Sequence, residues 1–191
     1  MIDSAAFVQR LNRTKILPQK ISLALMEGLR INQFDQFEIF LSPGNFATAI
    51  YFIQSGYVRG AIDGPAEKMT TWFKQEGDII IPQGIFNQRT SDEYISAVTK
   101  TTVLAIPINN IQRVLKLYPE LMEFFFLLFA ESINEGQYRE KLLRFPKAKE
   151  RYDFMCEHED YVLKRIPQSL IASYLNVTRE TFSRLYKGLP Y

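Results

Sequence analysis

The 191-residue chain contains one cysteine, Cys156, and one histidine, His158. A single cysteine excludes an intrachain disulfide and a cluster ligated by several cysteines of one chain. It fits a reducing cytoplasm, and a buried helical thiol is its expected state. A single histidine leaves no imidazole set for a haem or metal sensor, and His158 falls outside the β-rich part of the chain. Long apolar runs are missing too. The longest, Phe124 to Ala130, is far too short to span a bilayer. Asp3, Arg10 and Arg13 stand close to the first apolar residues, so the N-terminus does not read as a signal peptide. No metal, cofactor or membrane partner is expected. The net charge of +2 is too small to argue for a nucleic-acid partner by itself.

The distribution of charge says more than its sum. Residues 139–191 carry 11 Lys/Arg against 7 Asp/Glu, whereas residues 1–138 carry 12 against 14. The basic excess coincides with a stretch near the end of the chain, Ile166 to Lys187. Pro167 suits a first helical position. Ile171, Ala172 and Leu175 then share one helical face. Asn176 can take the left-handed conformation that stops a helix. Thr178 is a candidate N-cap for a second helix. In that helix Phe182, Leu185 and Tyr186 point inward, and Arg179, Glu180, Ser183, Arg184 and Lys187 point outward. Two short helices, a tight turn and a small residue in the first describe a helix-turn-helix. An ordinary helical hairpin with a solvated charged face has the same pattern.

Upstream, residues 3–12 and 19–29 read as short amphipathic helices. From 34 to 107 the texture changes to short runs rich in Phe, Ile, Val, Tyr and Thr. Turn signals such as Ser42-Pro43-Gly44-Asn45, Asp63-Gly64-Pro65 and Glu76-Gly77-Asp78 break these runs. Strands are expected at 35–41, 48–54, 56–62, 68–74, 78–81, 93–98 and 102–107, forming an antiparallel roll. A helix over 108–117 and a long helix from Pro119 to Leu143 follow. The first half of the long helix is apolar almost all round, so it must be buried on more than one side. A second copy of the chain is the economical partner for its outer side. Pro146 breaks this helix. Residues 147–157 read as another helix, and 158–165 as a connector with a short strand at Tyr161–Leu163. The class is α+β in three parts: a β-roll over 1–117, a long dimerisation helix over 118–145, and a helix-turn-helix over 146–191.

This order resembles the Crp/Fnr family of bacterial transcription regulators. The sharpest local likeness is Arg179-Glu180-Thr181-x-Ser183-Arg184, similar to the recognition helix of catabolite activators, with Ser183 where glycine is common. Pro167-Gln168-x-x-Ile171-Ala172-x-Tyr174-Leu175 is also similar to the family's preceding helix. The resemblance implies a cytoplasmic homodimer that binds double-stranded DNA at an inverted repeat, and RNA polymerase as a partner if it activates. It implies Arg179, Glu180 and Arg184 as base readers. A guanidinium fork suits guanine O6/N7, and a carboxylate can accept from a cytosine amine. Gln168, Ser169, Thr178, Ser183 and Lys187 are candidate phosphate contacts. Glu180 and Arg184 are also spaced for a surface ion pair.

Many relatives sense a cyclic nucleotide in the roll through a Gly-Glu pair and, ten residues after the glutamate, an arginine. Gapless alignment on Gly77-Asp78 puts Ile81-Pro82 and Asp92 at those places. A carboxylate repels phosphate, and proline has no N–H to offer. Arg89 is offset by three residues. No response to cyclic AMP or cyclic GMP is therefore expected. The polar fragment Phe86–Tyr94 binds another effector or none. An enzyme is not expected. The roll lacks the histidines of cupin chemistry, no Gly-rich phosphate loop or serine elbow is visible, and the adjacent Asp92 and Glu93 would face opposite sides of a strand. The alternative is a regulatory or interaction module whose helix-turn-helix does not bind DNA specifically.

Overall fold

A computed structural model describes residues 4–187, with side chains over 5–186. The described chain forms two compact units: residues 1–59 with 74–132, and residues 60–73 with 133–191. In order, the elements are α1 (Ser4–Thr14), α2 (Gln19–Met26), β1 (Arg30–Phe34), β2 (Ile39–Leu41), β3 (Ala49–Ser55), β4 (Tyr57–Ile62), β5 (Met69–Gln75), β6 (Ile79–Ile80), β7 (Tyr94–Ala97) and β8 (Thr101–Pro107). Six helices follow: α3 (Ile108–Leu117), α4 (Leu121–Arg144), α5 (Ala148–His158), α6 (Asp160–Arg165), α7 (Gln168–Tyr174) and α8 (Arg179–Lys187).

The strands form two four-stranded sheets, ordered β1-β8-β3-β6 and β2-β7-β4-β5. β8 pairs antiparallel with both β1 and β3, so it is central. β3 is buried along Ala49–Ile53, as a strand covered on both faces must be. Phe52 lies edge-on to Phe7 of α1, with ring centroids 5.5 Å apart. Ile53, Val58, Ile95, Val103 and Leu104 complete the roll's interior. Ile21 and Leu25 of α2 and Ile111 and Val114 of α3 are buried in the same unit. The roll and the long helix match the expected α+β architecture.

Two elements differ from the sequence reading. The strand expected over 35–41 is broken. Residues Asp35 to Glu38 turn, with Phe37 at φ 65°, and the amide of Glu38 donates to the carbonyl of Asp35. The strand begins earlier instead, at Arg30, on the edge of the first sheet. A left-handed phenylalanine is uncommon, and its composition gives no turn signal. The second difference is at 158–165. It holds the helix α6, not a strand. Val162 is buried, and Lys164 bonds Asp160 one turn back at 2.5 Å. An acidic first turn and basic last turn suit the helix dipole, and the burial of Val162 in the unit's core outweighs the β preference of Tyr161-Val162.

On α4 the side chains of Leu121, Phe124, Phe125 and Leu128 are buried. Phe86, from the turn after β6, meets Phe125 and Phe129 edge-on at 5.7 and 5.4 Å. Met122, Phe126, Ile133 and Leu143 remain exposed, Phe126 by 64%. Truncating Phe52 to Ala should cost about 3–5 kcal/mol, because the cavity lies in a strand packed on both sides. Urea unfolding followed by circular dichroism measures this, and a loss below about 1 kcal/mol would contradict the core described here.

Candidate nucleic-acid interface

The second unit has its own core: Tyr152, Met155, Val162, Ile171, Ala172, Tyr174, Leu175 and Phe182. The turn between α7 and α8 is determined by backbone chemistry. Asn176 sits at φ 51°. Its amide donates to the carbonyl of Ser173, and that of Val177 donates to Ala172, both within 3.1 Å. This crossed pair is a Schellman stop, and Asn replaces the usual glycine. Thr178 then caps α8, its hydroxyl accepting from the amide of Thr181 at 3.2 Å. Pro167 takes the capping position of α7, one residue before the first helical place, and its carbonyl accepts from Leu170 and Ile171.

The orientation of α8 follows from one anchor. Phe182 is 1% exposed and packs against Tyr152 of α5, with centroids 5.9 Å apart. On the other side Arg179, Glu180 and Arg184 are exposed, with Ser183 half-buried. Gln168 and Thr178 are exposed and Ser169 is half-buried, so α7 and α8 present these residues around one turn. Tyr186 is 40% exposed, with its ring stacked on Phe182 at 5.9 Å between centroids. The backbone of Lys187 ends α8, and its side chain lies outside the described residues.

The charges on α8 have specific neighbours. Glu180's carboxyl is held below its ordinary value, first by its own amide and then by the Thr178 hydroxyl, with smaller help from Arg179 and Arg184. Arg179 faces Glu67, in the β4–β5 turn, at 3.8 Å. The same hairpin meets α7, where the amide of Thr70 donates to Ser173 Oγ at 2.9 Å and Phe73 lies 5.1 Å from Tyr174. No sequence signal linked these residues, because they are about a hundred positions apart.

Sequence reasoning also missed a buried polar cluster behind α7. Tyr174's hydroxyl donates to Glu159 Oε2 at 2.9 Å. The Arg139 guanidinium lies 3.9 Å over the Tyr174 ring and donates to the carbonyl of Thr70 at 3.3 Å. Burial pushes Glu159 above, and Arg139 below, their ordinary values. Burial likewise raises Tyr138 and Tyr174. Cys156 is half-buried on α5, and burial raises its thiol pKa.

In the roll, residues 83–88 form turns, with Gly84 at φ 78° and Gln88 at φ 56°. The amide of Arg89 donates to the Gly84 carbonyl at 3.1 Å. Arg89 and Asp92 are exposed. Ser91 is fully buried, its hydroxyl donating to the carbonyl of Glu93. Among the described residues no group of three His, Cys, Asp or Glu could hold a metal ion. No described helix is long and apolar enough to cross a membrane.

The family model of the cyclic nucleotide-binding domain matches residues 31–118. No curated protein matches the chain. Solved structures with similar folds include FixK2 from Bradyrhizobium japonicum, with a TM-score of 0.72, 18% identity and 83% of each chain covered. A transcriptional regulator of the Crp/Fnr family from Eubacterium rectale has a TM-score of 0.69 and 17% identity, over 90% of this chain and 82% of that one. The catabolite activator protein of Thermus thermophilus has a TM-score of 0.58 and 20% identity, over 94% of this chain and 86% of that one. The likeness to these structures lies in the fold, and the cyclic nucleotide-binding domain model matches the stretch that contains the roll.

The raised Glu159 makes a pH prediction. Its folded state holds a proton more tightly than the unfolded chain, so it destabilises the fold as pH rises from about the ordinary 4.5 through the folded value. Glu159→Gln should therefore flatten that part of the stability–pH profile and raise stability at neutral pH relative to acid. Thermal melts of both proteins from pH 4 to 8 check this. A steeper profile in the variant would contradict it.

Proposed function

We propose that this chain is a homodimeric, sequence-specific DNA-binding transcription regulator of the Crp/Fnr type, working in the cytoplasm and not as an enzyme. The observation that carries the reading is the build of α8. Arg179, Glu180 and Arg184 are exposed together on a helix whose other side is anchored by Phe182. A helix of this kind can enter a major groove with arginine forks on guanine and a carboxylate on cytosine. Gln168, Ser169, Thr178, Ser183 and Lys187 then contact phosphate and set the register. Residues 146–191 are the helix-turn-helix part, preceded by the roll over 1–117 and the dimerisation helix over 118–145.

The dimer rests on the spacing along α4. Met122, Phe126, Phe129, Ile133, Gly136, Glu140 and Leu143 alternate at steps of four and three, the seam of a two-stranded coiled coil. Four of the apolar members are exposed in a single chain. Such a stripe marks an interaction surface. RNA polymerase is a partner if the protein activates.

The domain's usual effector is not this chain's. By the gapless alignment on Gly77-Asp78, Ile81-Pro82 and Asp92 fall at the phosphate-binding places, and Arg89 is exposed and offset. The Phe86 ring also packs on α4, beside that loop. The second reading is a regulatory module whose helix pair does not bind DNA specifically. The Arg179–Glu67 contact favours it, since it engages one of the three base readers.

Selection of bound duplexes from a random pool should return an inverted repeat, and a pool without enrichment would sink the specific reading. Arg184→Ala should cost about 1–3 kcal/mol and relax one base position, whereas Lys187→Ala should weaken all sequences alike. Uniform loss in both would show the roles to be wrongly assigned. Isothermal titration should find no cyclic AMP or cyclic GMP binding; affinity near 1 μM or tighter, about 8 kcal/mol, would overturn that part. Ile133→Asp should leave a monomer in sedimentation, and an intact dimer would place the interface elsewhere.

A further inference from the structure

We propose that Arg151 is the positioning residue that holds α8 in one orientation relative to α4. Its role in reading DNA rests on the function proposed above; its role in holding the helices does not.

The last carbonyls of any α-helix lack partners within the helix. Two such ends meet at Arg151. α4 finishes at Arg144 and runs into Phe145-Pro146. α7 finishes at Tyr174, with Leu175 as its cap. From the first turn of α5, Arg151 Nε donates to the carbonyl of Leu175 at 2.8 Å. Its Nη1 donates to the carbonyl of Phe145 at 2.8 Å and to that of Pro146 at 3.3 Å. One planar guanidinium thus closes the ends of two helices that are thirty residues apart in sequence (Phe145 to Leu175). The full charge also sits where both helix dipoles are negative.

The Leu175 end matters because nothing slack separates it from α8. Asn176 and Val177 are committed to the Schellman bonds, and Thr178 already caps α8. A shift at Leu175 therefore moves the start of α8. The Phe145 end matters because Phe145 directly follows α4, the helix proposed to pair two chains. The neighbouring Tyr152 packs on Phe182, so α5 holds α8 by side-chain packing while Arg151 sets where the turn sits. Lysine cannot replace this. Its ammonium is a single point on a flexible stem, whereas the guanidinium donates from separate nitrogens in fixed directions. In a dimer, the separation of the two α8 helices, and hence the preferred spacing of half-sites, depends on this bridge.

The test uses spin labels on Glu140→Cys in α4 and Arg184→Cys in α8, in a Cys156→Ser full-length chain diluted with unlabelled protein. Pulsed dipolar spectroscopy should give one narrow distance distribution. Arg151→Lys and Arg151→Met should broaden it about twofold, since a helix freed from one anchor samples several states. Lys149→Ala, which loses only a surface ion pair on the same helix, should leave the width unchanged. Arg151→Lys keeps the charge and guards against an unfolded methionine variant, and far-ultraviolet circular dichroism reports helix content for both.

The unlabelled proteins are then titrated with inverted repeats whose half-sites are moved apart one base pair at a time. Arg151→Lys should cut the preference for the best spacing from about tenfold to about threefold, with base preference inside each half-site unchanged. Equal widths with and without Arg151 overturn the proposal. Broadening with an undiminished spacing preference overturns its link to DNA reading. Broadening when neither protein discriminates any DNA upholds the bridge and defeats the proposed function instead.

Discussion

A helix that is apolar on more than one side cannot be satisfied by one neighbour, and α4 is such a helix. Its Leu121, Phe124, Phe125 and Leu128 are buried, and Phe86 is drawn across to cover Phe125 and Phe129. What stays exposed is a stripe at coiled-coil steps. Phe86, from the turn after β6, is thereby committed to an aromatic contact with the helix. The proposed dimer is thus a consequence of that excess of apolar surface.

The second unit is organised by a different constraint, the need of buried or terminal polar groups for partners. The carbonyls at the ends of α4 and α7 find the guanidinium of Arg151. Glu159 and Tyr174 find each other, and Arg139 reaches both the Tyr174 ring and the Thr70 carbonyl. These bonds connect α4, α5 and α7 with the β4–β5 hairpin, the same hairpin whose Glu67 approaches Arg179.

Much of this was readable from residue order. The strands from Ala49 to Pro107 follow turn signals and β-branched runs, and α7, α8 and their turn follow from Pro167, Asn176 and Thr178. The misreadings share a cause. Phe37 turns the chain without glycine, asparagine or proline, and Tyr161-Val162-Leu163 enters a helix despite its strand preference. In both places non-local pairing, of β1 with β8 and of Val162 with the unit's core, outweighs the local preference. Among the candidate site residues, which of them are exposed was legible from helical period. What they meet was not.

By itself the sequence determined the order of elements, the excess of apolar surface on α4, and the charged side of α8. Each depends on spacing within a dozen residues, where helical and strand periods act directly. Only the tertiary structure decided that Arg151 joins the ends of α4 and α7, that Glu67 faces Arg179, and that Glu159 is buried beside Tyr174. Apart from the bond of Arg151 to nearby Phe145, those contacts join residues 15 to 112 positions apart in sequence. Their partners are chosen by which polar groups remain unsatisfied once the helices have packed, and no local pattern encodes that remainder.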